Sequence, residues 1–74
     1  MATWTRIYRS ENKQIYVYFN NEDPDNYKAH AYEIFRVYKG EDSIHNLIRF
    51  IRDVGDNVLD ESLIKQSKAG LLGA

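Results

Sequence analysis

The chain has 74 residues with 10 basic and 11 acidic side chains, and its formal net charge is -1. A chain this short forms one small domain whose core cannot enclose a large cofactor. It contains no cysteine, which excludes disulfides, thiolate zinc sites and a cysteine nucleophile. Apolar residues make up 43% of the chain, which excludes global disorder, and the lack of a basic excess argues against a binder of duplex DNA.

The apolar runs are short. A run such as Ile15 to Phe19 is far below the roughly 20 residues that a membrane helix needs. The first residues are not followed by an apolar segment of signal-peptide length. We therefore expect a cytoplasmic protein without a membrane partner.

The first predicted element is a β-hairpin. Two segments rich in aromatic and β-branched residues, Trp4–Arg9 and Ile15–Phe19, flank a polar stretch that is typical of a turn. Regular alternation sorts the side chains onto two faces. The predicted core face carries Trp4, Tyr8, Ile15, Val17 and Phe19, and the opposite face carries Thr5, Ile7, Arg9, Tyr16 and Tyr18.

Residues 27–39 are compatible with two structures. A helix is favoured by Asp23 and Pro24 before the segment and Gly40 after it. A strand over Ala31 to Tyr38 is favoured by its aromatic and β-branched composition. We favour a third strand, because a two-stranded hairpin alone is marginally stable.

The clearest helix is predicted over Ile44 to Val54, where apolar residues follow the 3.6-residue period and Gly55 comes after the end. A short second helix is expected from about 58 to 65. We predict one α+β domain over residues 1–66, with a small antiparallel sheet covered by the main helix, and a flexible tail over 67–74. The alternative is a β-hairpin followed by two or three helices. The expected core residues are Trp4, Tyr8, Ile15, Val17, Phe19, Phe35, Ile44, Leu47, Ile48, Ile51 and Leu63.

Sequence patterns for catalysis or cofactor binding are lacking. The two histidines, His30 and His45, have no nucleophile at a recognisable spacing. The four glycines are dispersed, so no phosphate-binding loop is formed. The acidic residues lack the spacing of a calcium loop. We therefore predict a protein that is not an enzyme, has no catalytic residues, and binds neither a cofactor nor a metal ion.

Two groups of residues are candidate contact sites. Tyr16 and Tyr18, with Ile7 and Arg9 opposite them, are predicted to form an aromatic patch on the second face of the hairpin. Arg49 and Arg52 lie on the polar side of the main helix together with His45. Each group has an ordinary structural explanation as well, since tyrosine is a good strand residue and a charged helix face is commonly just solvated.

The leading functional hypothesis is a non-catalytic protein-interaction module, meaning a small regulator, inhibitor or assembly subunit that occupies a partner surface. The chain has ten aromatic residues (one Trp, six Tyr and three Phe), more than one small core is expected to hold. The alternatives are a single-stranded nucleic-acid-binding domain that uses the same tyrosine and arginine face, and a homo-oligomeric structural subunit.

Overall fold

The computed structural model describes residues 3–72 as a four-stranded antiparallel sheet with two helices. The strands are adjacent in chain order, β1-β2-β3-β4. This arrangement confirms the predicted α+β class with a helix packed on an antiparallel sheet. The elements are β1 Trp4–Arg9, β2 Ile15–Asn20, β3 Asn26–Ala31, β4 Ile34–Lys39, α1 Ser43–Asp53 and α2 Glu61–Leu72.

The first hairpin contains a β-bulge that simple alternation misses. Tyr8 pairs with Val17 as predicted, but the register shifts between Arg6 and Tyr8. A bulge places two residues of one strand opposite one residue of its neighbour, so it reverses the facing of every residue beyond it. Ile7 therefore packs against the core, and Trp4 pairs with Asn20 on the opposite face. The predicted facings of Trp4, Thr5 and Ile7 are wrong for this reason.

Residues 26–39 form a second hairpin, so the helical alternative for this segment is wrong. The segment is extended as we expected, but not as the single strand Ala31 to Tyr38: β3 ends at Ala31, a turn follows at Tyr32 and Glu33, and β4 begins at Ile34. Tyr32 has a φ of 56°, a left-handed conformation that residues without glycine's freedom rarely adopt. The Tyr32 N–H donates to the Gln14 carbonyl at 2.8 Å. This long-range bond stabilises a turn that has no Asn-Gly signal in the sequence.

The core lies between the sheet and the helices. Predicted core residues Ile15, Val17, Phe19, Leu47, Ile48 and Ile51 are buried, and they are joined by Tyr27, Ala29, Ala31, Leu59 and Ile64. Tyr8, Ile44 and Leu63 are partly buried against this cluster. Phe35, a predicted core residue, is 60% exposed. It pairs with His30 in β3, whose neighbours Ala29 and Ala31 point to the core, so alternation turns Phe35 away from it.

The second helix is longer than predicted and begins later. It starts after Asp60, whose side chain accepts the backbone N–H of Leu63 at 2.8 Å, as a helix N-cap does. It continues to Leu72, so residues 67–72 of the expected tail are helical, while Gly73 and Ala74 lie outside the described residues. The domain boundary at residue 66 stays a prediction. Over residues 3–72, neither helix is long and apolar enough to cross a membrane.

Candidate functional site

The side of the sheet that faces away from the helices is the candidate site, and we call it the open face. Both helices contribute their buried side chains to the core on the other side, and neither lies on this one. Strand pairing assigns its residues, because partners in adjacent strands share a face. The open face includes Trp4, Arg6, Arg9, Tyr16, Tyr18, Lys28, His30, Phe35, Val37 and Lys39.

Four rings form a continuous line across β2, β3 and β4, and we call it the aromatic row. Tyr18 stacks on Tyr16 with ring centroids 6.5 Å apart, and Tyr16 stacks on His30 at 6.1 Å. His30 lies almost parallel to Phe35, at 4.1 Å and 7°. The register explains the row, because Tyr16 pairs with His30 and His30 pairs with Phe35. Phe35 is well exposed, and the two tyrosines are half-buried.

Two cations lie over aromatic rings of the open face. The ammonium of Lys28 lies 4.8 Å from the ring centroid of Trp4 and 4.9 Å from that of Tyr18. The guanidinium of Arg6 lies 5.9 Å from the ring of Tyr16. Each such contact is worth about 0.5–1 kcal/mol at an exposed site. These contacts place positive charge beside the aromatic row.

The charges of the protein are unevenly distributed. The four strands hold five basic side chains and no aspartate or glutamate, although the whole chain has net charge -1. All 11 acidic residues therefore belong to the turns, loops and helices. Four of the strand cations belong to the open face: Arg6, Arg9, Lys28 and Lys39.

The structure brings together half of the candidate residues from the sequence. Arg9, Tyr16 and Tyr18 share the open face as predicted. Ile7 is separated from them by the bulge. Arg49 and Arg52 are exposed on α1, in the helical layer on the other side of the sheet, so they form no common surface with the tyrosines.

Sequence reasoning missed most of this surface. Trp4 and Arg6 were hidden by the bulge, which cannot be seen in the period-2 pattern. Lys28, His30 and Phe35 were hidden because their segment also fits a helix. A usable signal was present in the alternation Phe35-x-Val37-x-Lys39, which places an aromatic, an aliphatic and a basic residue on one face of a strand.

Apart from the open face, a cleft lies at the end of the sheet near the first turn. This open cleft of about 630 Å³ is lined by residues that include Tyr8, Ser10, Asn12 and Asp56. Its polar groups bond to one another: Tyr8 donates to Asp56 at 2.5 Å, and Ser10 donates to Asn12 at 2.5 Å. Burial, aided by the hydrogen bond to Asp56 and the charges of Asp56 and Glu11, raises the pKa of Tyr8 to about 12. Because these polar groups already have partners, we infer that they stabilise the fold and do not form a ligand site.

Across residues 3–72, no three histidine, aspartate or glutamate side chains lie close enough together to hold a metal ion. Comparison with protein-family models, curated proteins and solved structures found no match for this chain. The function is therefore inferred from the residues of the open face.

Proposed function

We propose that this protein is a non-catalytic module that binds single-stranded nucleic acid on its open face. The observation that carries the proposal is an aromatic row on a face that also carries four cations, in a sheet whose strands contain no carboxylate. Bases stack on the rings, and backbone phosphates contact the cations.

The geometry favours unpaired bases as the ligand. A half-exposed ring on a sheet offers its edge and part of its face to a base that has left its own stack. Stacking of one base on an aromatic side chain is worth about 1–3 kcal/mol. Phe35 on β4, at the exposed end of the row, and Tyr16 and Tyr18 on β2, toward its other end, provide three such positions. A duplex shields the faces of its bases, so we expect it to bind more weakly.

The charge distribution favours a polyanion over a typical protein partner. Lysine is depleted at protein–protein interfaces, yet Lys28 lies at the centre of this face, over two of its rings. The protein-interaction hypothesis remains the second candidate, because Phe35 and Val37 are 60% and 54% exposed side by side on β4. A protein bound on the whole open face would need to be acidic.

The test measures the binding of short, fluorescently labelled single-stranded DNA and RNA of mixed sequence by fluorescence anisotropy at low salt. The double substitution Tyr16→Ser and Tyr18→Ser is expected to weaken binding by at least about tenfold, because it removes two stacking positions. Tyr32→Ser is the matched control, since Tyr32 is 48% exposed in the turn after β3 and should leave binding near the wild-type value. Absence of binding by the wild-type protein would refute the proposal.

Salt dependence tests the expected phosphate contacts. Four phosphate contacts on a single strand predict a slope of log affinity against log salt of about -3. Affinity purification from lysate, with and without nuclease, is the complementary experiment, because it identifies captured proteins and shows whether their capture depends on nucleic acid. A protein that is captured equally in both samples, and lost with Tyr16→Ser and Tyr18→Ser, would favour the protein-interaction hypothesis instead.

A further inference from the structure

The edge strand β4 concentrates exposed apolar side chains. Ile34, Phe35 and Val37 are 38%, 60% and 54% exposed, and the strand pairs with β3 on one side only. Its ladder with β3 is regular over six consecutive pairs. The other edge strand, β1, is bulged, and a β-bulge is a device that prevents edge pairing. β4 has no bulge.

The backbone groups of β4 that point outward can be identified. A two-residue turn joins Ala31 to Ile34, and the pair that closes such a turn is hydrogen-bonded. Hydrogen-bonded pairs alternate along an antiparallel ladder, so Phe35, Val37 and Lys39 direct their N–H and C=O groups away from β3. The Phe35 carbonyl agrees with this assignment, because it accepts a hydrogen bond from Nη1 of Arg36 at 3.0 Å.

We propose that β4 pairs with β4 of a second copy of this chain, antiparallel, about a two-fold axis at Val37. In this register Val37 meets its own counterpart, and Phe35 meets Lys39 of the second copy. Phe35, Val37 and Lys39, the residues that pair across the axis, all direct their N–H and C=O groups outward. The two side chains of each pair lie on the same face of the sheet. Two-fold symmetry makes the contact isologous, so the assembly closes as a dimer.

The side chains are complementary in this register. On the open face, each Phe35 ring lies opposite a Lys39 ammonium, and on the other face each Arg36 lies opposite a Tyr38 ring. Cation–aromatic pairs of this kind are attractive, and no like charges are directly opposite each other. The Arg36 side chain leaves the Phe35 carbonyl, which then accepts the N–H of Lys39 of the second copy.

The dimer would join two open faces into one surface of eight strands, because a two-fold axis perpendicular to the sheet keeps both open faces on the same side. The inference does not depend on what that surface binds. One pair of strands is a small interface, so we expect reversible association at micromolar to millimolar concentrations.

The test is sedimentation equilibrium or light scattering of the full chain from low micromolar to near-millimolar concentration. The wild-type mass should rise from 8.7 kDa toward twice that value. Val37→Pro removes an outward N–H that the monomer does not use, and proline is tolerated on edge strands in that orientation. It should abolish the dimer. Val37→Lys should also abolish it, by placing two ammonium groups opposite each other.

The controls are Val37→Thr, which keeps the β-branch and the N–H, and Tyr16→Ser with Tyr18→Ser, which lie on β2. Both should dimerise like the wild type. Circular dichroism checks the folding of each variant, and Val37→Lys, at a position already exposed, serves if Val37→Pro fails to fold. A wild-type monomer at every concentration, or a dimer that survives Val37→Lys, would overturn the proposal.

Discussion

At the scale of single residues, Tyr8 connects distant parts of the chain. Its hydroxyl donates to the carboxylate of Asp56, 48 positions away, just after α1. Burial is the main cause of the rise in its pKa from 10.0 to about 12, and the bond and charge of Asp56 add to it. Because the folded-state pKa is raised, the neutral phenol contributes stability below pH 10, and this contribution is lost as the pH rises toward about 12.

Tyr8→Phe should therefore lower the free energy of unfolding by about 1 kcal/mol at neutral pH. It should also reduce the loss of stability between pH 10 and about 12, the range of the shifted pKa. Urea unfolding across this pH range measures both effects. Tyr32→Phe is the control, because the Tyr32 hydroxyl is exposed and only accepts a 3.4 Å contact from Asn12; its cost should stay within about 0.5 kcal/mol. An unchanged pH dependence in Tyr8→Phe would contradict the assignment.

At the scale of elements, Lys68 attaches α2 to the loop before β3. Its ammonium donates to the Pro24 carbonyl at 2.8 Å and to the Tyr27 hydroxyl at 2.5 Å. Its contact with Asp25 is longer, 3.7 Å, and that carboxylate is 80% exposed, so it adds little. These contacts explain why residues 67–72 are helical although the sequence suggested a flexible tail.

Lys68→Met should destabilise the protein by about 1–3 kcal/mol, because the buried Tyr27 side chain loses the partner of its hydroxyl. Amide hydrogen exchange in the second half of α2 should accelerate as well. Lys65→Met is the control: Lys65 forms an exposed pair with Glu61 at 3.0 Å, and its loss should cost about 0.5 kcal/mol or less. Equal effects of the two substitutions would show that Lys68 does not hold α2 in place.

At the scale of the whole molecule, the separation of charge matters more than its sum. The net charge of -1 initially argues against any nucleic-acid ligand. The structure places basic side chains on the strands and all the acidic ones elsewhere. Local potential beside a surface, rather than net charge, sets the attraction of a polyanion to that surface.

Two double substitutions with the same change in net charge test this point. Arg6→Glu with Lys28→Glu reverses charges beside the aromatic row, whereas Arg49→Glu with Arg52→Glu reverses charges on the exposed side of α1. The first pair should abolish binding of single-stranded oligonucleotides, and the second should leave most of it, as measured by anisotropy at fixed salt. Similar losses in both pairs would mean that net charge alone controls binding. Circular dichroism again checks that each variant folds.

Elements with a local signal can be predicted from the amino-acid sequence. The strands of the first hairpin and the main helix appear within a residue or two of their predicted limits, because alternation and the 3.6-residue period are properties of short segments. The sequence also identified Arg9, Tyr16 and Tyr18 as neighbours. Arg9 pairs with Tyr16 on the turn side of the bulge, where the simple register holds, and Tyr18 shares the face of Tyr16 by alternation along β2.

The other features of the fold could not be predicted, because they depend on contacts between residues that are distant in the chain. The bulge at Ile7 follows from packing against the core. The left-handed turn at Tyr32 is held by a bond to Gln14, in the other hairpin. Together these two features bring Trp4, Arg6, Lys28, His30 and Phe35 to the open face. The row of rings and cations exists only once four strands are in register, so no single segment could display it.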